Sequence, residues 1–240
     1  MRTEIIRLDT SDGPMPAFVA RPDGPARGAV VVLQEVFGVT GHLREICRRL
    51  ARHGWTAIAP ALYHREGSPV FAYDDLSGIA VMNRLTAAGL AMDLDTTFTR
   101  LADEGHPPAA IGVLGFCMGG SVALFAATRR GPAAAVTFYG VGITEGRLGL
   151  PPLADLAPDV GCPWLGFYGA LDPQATKEQL DRLAAALATT CVQTDIVRYD
   201  GAGHAFNCEQ RPDKYDRTAA NDAWNRTLLF LDEHLRTDTP

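Results

Sequence analysis

The segment Gly115-Phe116-Cys117-Met118-Gly119 combines a thiol with the small residues that a tight turn requires. It lies between a β-rich run, IGVLGF, and an Ala-rich run, SVALFAAT, so we predict that a buried strand turns into a buried helix here. Such a turn lifts the side chain above the sheet, and the helix N-terminus favours a thiolate and any oxyanion. We predict that Cys117 is a nucleophile; the alternative is a buried cysteine in an ordinary glycine-rich turn.

A thiol nucleophile needs a base, and His204 has the most suggestive context among the six histidines. It lies in the glycine-rich loop DGAGHAF after the last predicted strand, and therefore at the carboxyl edge of the sheet, where such folds build their sites. The alternative is a loop histidine without a catalytic task. His64 also follows a strand, but it precedes Cys117 and has no glycine-rich setting. The others are expected on helix surfaces or in a loop: His42, His53, His234 and His106.

The acid that orients the base should lie between Cys117 and His204 in the chain, if the fold is one with the order nucleophile, acid, base. Asp172 fits because it directly follows the strand of GFYGALDPQAT and precedes a helix. A lone aspartate at such a place is most often a turn or cap residue, so the prediction depends on its combination with the other two. Weaker candidates are Asp155, Asp159, Asp181, Asp195 and Asp200.

The elements that must position these residues alternate between strands and helices. IIRLDT and MPAFVARP predict an antiparallel hairpin. Buried strands are predicted at GAVVVLQE, WTAIAPAL, AAIGVLGF, AAVTFYG, PWLGFYG and VQTDIVRY. Helices are predicted between them, one covering roughly Ala88 to Glu104 and one starting at a capping box of Thr176 and Gln179. We predict an α/β fold in a single domain over residues 1–240, with a mostly parallel sheet and helices on both faces.

The composition favours a globular protein of the cytoplasm. With 47% hydrophobic and 21% charged residues the chain can build a core, and a net charge of −6 argues against binding to nucleic acid or anionic membranes. Five cysteines without a CxxC pair argue against a disulfide framework and a zinc site. The charged N-terminus lacks the apolar core of a signal peptide. The uncharged stretch 107–128 is long enough to span a bilayer, but its glycines favour a buried strand and helix.

Several motifs together resemble the dienelactone hydrolases, or carboxymethylenebutenolidases. They are Gln34-Glu35-Val36-Phe37-Gly38, Ala59-Pro60-Ala61-Leu62-Tyr63, Gly115-Phe116-Cys117-Met118-Gly119-Gly120, Gly169-Ala170-Leu171-Asp172 and Gly203-His204-Ala205-Phe206. The resemblance implies an α/β-hydrolase fold with a triad of Cys117, His204 and Asp172. It also implies that Glu35 keeps the thiol in a resting, protonated arrangement, and that the backbone N–H groups of Met118 and Val36 form an oxyanion hole.

The residues around the triad suggest how a pocket is built. Glu35 directly follows an apolar strand, where a carboxylate costs free energy unless it has partners; the alternative is an exposed charge at the strand end. Candidates for the pocket walls are Phe37, Tyr139, Trp164 and Phe206, although aromatic residues beside strands are more often plain core.

The resemblance also raises the question of which arginine meets the substrate. Dienelactone-cleaving members of the family hold a substrate carboxylate with arginines, one of them shortly after the catalytic histidine. Here Cys208 stands near that place and Arg211 follows. The candidates are Arg65, Arg84 and Arg211, and we predict that Arg211 belongs to the substrate site.

These observations lead to a hypothesis of a cofactor-free and metal-free hydrolase of small esters or lactones that works through a thioester on Cys117. Alternatives are a non-catalytic small-molecule-binding protein of the same fold, or a general carboxylesterase or thioesterase whose longer substrate lies under a lid formed by Gly142 to Gly161. We expect a monomer or small homo-oligomer. The fold and the triad define the reaction class, whereas the shape of the pocket selects the substrate.

Overall fold

A computed structural model describes residues 1–129 and 131–235 of the chain. Its strands are β1 (Arg2–Thr10), β2 (Gly13–Arg21), β3 (Ala29–Leu33), β4 (Thr56–Pro60), β5 (Ile111–Phe116), β6 (Ala134–Phe138), β7 (Trp164–Gly169) and β8 (Thr194–Tyr199). They form one sheet in the order β1-β2-β4-β3-β5-β6-β7-β8. The nucleophile candidate therefore follows a central strand, β5.

The sheet is antiparallel at one edge and parallel elsewhere. β1 pairs with β2, and β2 with β4, in antiparallel fashion, while every pair from β4–β3 to β7–β8 is parallel. All residues of β3 to β7 are buried, as expected for parallel strands covered on both faces. The predicted hairpin and the mostly parallel α/β sheet are confirmed.

Helices cover both faces of the sheet. One apolar core includes residues of α1 (Gly41–Arg52) and α7 (Arg217–His234), and the other includes residues of α3 (Ala87–Asp103), α4 (Met118–Ala127) and α6 (Lys177–Leu187). Two shorter helices are α2 (Ser77–Met82) and α5 (Leu153–Leu156). The capping box of α6 is confirmed. Thr176 Oγ1 accepts a hydrogen bond from the backbone N–H of Gln179, and Gln179 Oε1 accepts one from the backbone N–H of Thr176.

The structure corrects one detail of the sequence analysis. His42, expected on a helix surface, is buried and lies edge-on to Phe116, and burial lowers the pKa of its imidazole to about 4. The stretch 107–128 contains β5 and α4. Among the described residues, no helix has the length and apolar character to span a membrane.

Candidate active site

Cys117 occupies a strained turn between β5 and α4. Its backbone has φ 53° and ψ −119°, and its amide donates to the Phe138 carbonyl at 3.0 Å. The flanking glycines are required by close approach: a Cβ at Gly115 would lie 1.9 Å from the Gly119 carbonyl oxygen, and one at Gly119 would lie 2.3 Å from the Leu33 carbonyl oxygen. The turn thus excludes larger residues at both positions and places the thiol at the N-terminus of α4.

His204 and Asp172 meet above the carboxyl ends of β7 and β8. Asp172 is almost fully buried; its Oδ1 accepts from the Gln174 amide at 2.8 Å and its Oδ2 lies 2.7 Å from His204 Nδ1. A carboxylate only accepts hydrogen bonds, so Nδ1 is the protonated ring nitrogen and Nε2 remains to exchange a proton with a nucleophile. The structure brings together this acid and base, which are 32 residues apart in the chain.

The electrostatics of the site couple His204 to the thiol. Burial lowers the pKa of His204, but the negative charge of a Cys117 thiolate, a hydrogen bond to that sulfur and the bond to Asp172 outweigh burial and raise the pKa to about 10. The imidazolium is therefore the stable form of the ring beside a thiolate at neutral pH. A thiolate–imidazolium pair is the reactive form of a cysteine nucleophile.

Glu35 lies at the same edge of the sheet and is 3% exposed. Burial raises the pKa of its carboxyl group, although the positive charges of His204 and Arg211 act in the opposite direction. Neither Glu35 Oε2 nor the hydroxyl of the neighbouring Tyr139 has a hydrogen-bond partner among the described residues. The role that the resemblance implies for Glu35, keeping the thiol protonated at rest, stays a prediction.

The aromatic candidates occupy different positions. Tyr139 is fully buried with φ 41°, and its ring lies edge-on to His204 at 5.1 Å and to Phe206 at 5.3 Å. Phe206 therefore packs against Tyr139, and its place in the substrate pocket stays a prediction. Trp164 starts β7 at the opposite, amino-terminal edge of the sheet and donates to Thr137 Oγ1 at 3.1 Å, so it belongs to the core and not to the pocket.

Phe37 and Arg211 form a second wall. Phe37 packs edge-on against Tyr73 at 4.9 Å, and the Arg211 guanidinium lies over both rings at 5.4 and 5.6 Å. Within residues 1–129 and 131–235, Arg211 forms no ion pair, whereas the carboxylates of other residues occupy the remaining candidates: Arg65 pairs with Asp12 and Asp93, and Arg84 pairs with Glu66.

Two backbone amides at the site are free of acceptors. The described residues provide no hydrogen-bond acceptor for the N–H of Met118 or of Val36. Tyr63 links these residues, because its hydroxyl donates to the Val36 carbonyl at 3.1 Å and lies 3.0 Å from Met118 Sδ. Sequence reasoning gave Tyr63 no role of its own, and its place inside a matched motif was the only signal.

A second thiol lies near the site. Cys208 is buried with its Sγ 3.6 Å from the Tyr73 hydroxyl, and burial together with the charge of Glu35 raises the pKa of its thiol to about 11. A raised pKa keeps Cys208 protonated at neutral pH.

The comparisons with known proteins agree on one family. The model of the dienelactone hydrolase family matches residues 15–235. The chain belongs to the dienelactone hydrolase family. A Yersinia pestis relative named "Putative carboxymethylenebutenolidase" is 37% identical over 227 residues, which cover 92% of this chain and 84% of that protein. A Rhodococcus opacus carboxymethylenebutenolidase is 29% identical over 92% of this chain and 87% of its own length.

A solved structure extends the likeness to the fold. The Klebsiella pneumoniae protein named "Putative Dienelactone Hydrolase" superposes with a TM-score of 0.88 at 34% identity, covering 97% of this chain and 98% of that one. The chain thus has the α/β-hydrolase fold of a hydrolase family.

In this member of the dienelactone hydrolase family, the connection from Gly142 to Gly161 is packed into the protein. Its residues Ile143, Leu148 and Leu150 are buried, and Thr144 Oγ1 accepts from Gln179 Nε2 of α6 at 3.1 Å. Its apolar side chains contribute to the core instead of lining a groove. Among residues 1–129 and 131–235, no three His, Cys, Asp or Glu side chains are grouped as metal ligands.

Proposed function

We propose that the protein hydrolyses small esters or lactones through a thioester on Cys117, with His204 as the proton carrier and Asp172 as the residue that orients it. The observation that carries this proposal is the 2.7 Å contact between His204 Nδ1 and Asp172 Oδ2 beside a thiol on a strained strand-to-helix turn. These are the parts of a nucleophile, base and acid triad.

In the first half of the reaction the Cys117 thiolate attacks the carbonyl carbon and forms a C–S bond. The negative charge that develops on the carbonyl oxygen is stabilised by the amides of Met118 and Val36, which have no other acceptor among the described residues, and by the N-terminus of α4. The C–O bond then breaks, and the His204 imidazolium donates its Nε2 proton to the departing alkoxide. In a lactone this alcohol stays attached to the acyl group.

In the second half a water molecule cleaves the thioester. Neutral His204 takes a proton from the water, the hydroxide attacks the carbonyl carbon, and the C–S bond breaks to return the thiolate and release a carboxylic acid. Asp172 keeps Nδ1 protonated throughout, so Nε2 is always the nitrogen that exchanges the proton.

We propose that Arg211 binds a negatively charged or strongly polar group of the substrate, with Phe37 and Tyr139 as its apolar walls. Arg211 lies over Phe37 and is close enough to Glu35 to affect the pKa of its carboxyl group, which places its charge near the reacting residues. The relatives named carboxymethylenebutenolidase support a lactone as the substrate class.

The decisive experiment is intact mass spectrometry after mixing with activated esters and lactones, using wild type, Cys117→Ala and a matched Cys208→Ala control. Wild type and C208A are expected to gain the mass of the acyl group, and C117A is expected to gain none. Acylation or full turnover by C117A would refute the proposed nucleophile.

A further inference from the structure

A small cavity lies beside the catalytic centre, behind the end of β3. It has a volume of about 80 Å³, and no member of the proposed triad lines it. Its walls are largely apolar and include Pro16, Phe18, Val39 and Ala61. Its polar lining consists of Gln34, Arg44, Tyr63 and Ser68, without a single acidic residue. The cavity therefore presents positive charge and hydrogen-bond donors on an apolar background.

Arg44 brings a charge that no carboxylate of the described residues neutralises. Its guanidinium lies over the Phe18 ring at 5.6 Å; its Nε is buried without a hydrogen-bond partner, and no carboxylate pairs with it in the described part of the chain. Arg48 stacks on the same ring at 5.4 Å but has an ion pair with Glu45 at 3.3 Å. A partly buried cation without a counter-charge costs free energy, which a bound anion would recover.

Gln34 also lines this cavity and carries a buried donor. Its side chain is fully buried, and its Oε1 accepts from the Leu62 amide at 3.1 Å. Because an N–H group must point at an acceptor, this bond fixes the orientation of the amide and makes the other atom the nitrogen. That Nε2 has no hydrogen-bond partner among the described residues. Gln34 Nε2 and Arg44 Nε, two buried donors in residues that line the cavity, thus lack acceptors among the described residues.

We propose that this cavity binds a short-chain monocarboxylate, with the carboxylate at Arg44 and the hydrocarbon part against Phe18 and Val39. The available charge matches one carboxylate, and the apolar walls favour a ligand with a hydrocarbon part over a fully hydrated inorganic anion. An accessible volume of roughly 10–15 Å³ is enough for one water molecule. A cavity of about 80 Å³ therefore accommodates a few carbon atoms beside the carboxylate.

The cavity is connected to the proposed oxyanion hole through Tyr63. This residue lines the cavity, donates to the Val36 carbonyl and contacts Met118 Sδ. The binding proposal itself does not depend on the catalytic mechanism, because none of its contacts involves Cys117, His204 or Asp172. It can therefore succeed or fail independently of the proposed hydrolase activity.

Isothermal titration calorimetry of the protein with sodium butyrate, at constant ionic strength, tests the proposal. We expect a Kd on the order of 1 mM, since a ligand of this size gains only a few kcal/mol. Arg44→Gln should weaken binding by at least about tenfold, because it removes the charge. The matched Arg48→Gln variant should change Kd by less than about twofold, because Arg48 already has a partner. Butyramide, the neutral analogue, should not bind measurably.

Further arms of the titration separate this cavity from the active site and from general anion binding. Arg211→Gln should leave butyrate affinity unchanged, and inorganic phosphate should bind at least about tenfold more weakly than butyrate because it cannot use the apolar walls. The proposal is overturned if wild type does not bind butyrate, if folded R44Q binds it as wild type does, if butyramide binds equally, or if R211Q abolishes binding. Equal binding of phosphate would show a site for small anions in general and would also refute the proposal.

Discussion

Two buried histidine–aspartate pairs lie on the same side of this molecule, and they have different surroundings. His204 Nδ1 lies 2.7 Å from Asp172, and His64 Nε2 lies 3.0 Å from Asp93. Both histidines follow strands of the parallel sheet, and both aspartate side chains are 0% exposed. A histidine–aspartate contact is therefore insufficient to identify a catalytic site in this chain.

The third partner separates the two pairs. Arg65 donates to Asp93 through Nη1 and Nη2, both at 2.9 Å. The guanidinium therefore balances the charge of the carboxylate without any contribution from His64. Among the described residues no thiol lies at the His64 ring, which is 1% exposed, whereas the His204 ring is 18% exposed and lies close enough to Cys117 for a thiolate there to raise the pKa of the imidazole. The first cluster satisfies its charges internally, and in the second the ring nitrogen that does not contact Asp172 is available to the thiol.

The largest expected effect is on catalytic activity, and the opposite result would remove the distinction between the two histidine–aspartate pairs. His204→Gln should lower kcat/KM by at least about 10³-fold, since the variant loses both the proton carrier and the counter-charge of the thiolate. His64→Gln should leave kcat/KM within about threefold at a temperature where both proteins are folded. Steady-state hydrolysis of an ester that wild type cleaves, with circular dichroism as the folding control, measures both. A comparable loss in H64Q would assign the second pair to the catalytic machinery.

The next effect concerns the aspartates, which should differ in what they support. Asp93→Asn removes the charge that Arg65 and His64 share, and we expect it to cost about 2 kcal/mol, less than a fully buried pair because Arg65 is 27% exposed and keeps Asp12. For a chain of this size that lowers Tm by about 4–8 °C. Its kcat/KM should change little.

Asp172→Asn is the matched variant for that test. Its amide NH₂ would face Nδ1 and favour the ring tautomer with the proton on Nε2, so kcat/KM should fall by about 10²-fold or more while Tm changes less than in D93N. Thermal unfolding and steady-state kinetics on the same preparations provide both numbers. Loss of activity in D93N with an unchanged Tm would contradict the structural role of that pair.

The sequence predicted the local part of this site better than the distant part. The strand, the glycines and the turn at Cys117 are encoded within about ten residues, so periodicity and glycine spacing were sufficient to predict them. The stabilising role of His64 depends on Asp93 from α3, which is 29 residues further along the chain. No local pattern reports that contact.

The positions of Tyr139 and Arg211 were hard to predict for the same reason. Tyr139 adopts φ 41° directly after β6, which propensity does not indicate, and Arg211 reaches the site through a loop that packs it on Phe37. His42 was assigned to the surface because its helix is amphipathic, whereas its ring turns toward Phe116 on β5. Side-chain direction at the ends of helices and strands is decided by tertiary packing.

The smallest expected effect is on the pH dependence of stability, and it concerns Glu35, a buried carboxylate that has an oxygen without a hydrogen-bond partner among the described residues. Burial raises the pKa of Glu35 above its usual value of 4.5, and its Oε2 has no partner in the described structure. A raised pKa in the folded state means that the protonated form stabilises the fold, and that this contribution is lost as the pH rises above 4.5. Glu35→Gln should therefore match wild type in Tm near pH 4 and exceed it by a few °C at pH 8, at about 2–4 °C per kcal/mol.

Asp93→Asn provides the opposite sign for the same measurement. Its carboxylate is paired with Arg65, so D93N should be less stable than wild type at pH 8. Thermal unfolding of the three proteins at pH 4 and pH 8 measures both effects, and at pH 8 the Tm values of E35Q and D93N should lie on opposite sides of the wild-type value. If E35Q became less stable than wild type as the pH rose, the Glu35 carboxylate would have a compensating partner. The charges of the candidate active site would then be balanced within the protein, as they are in the His64 cluster.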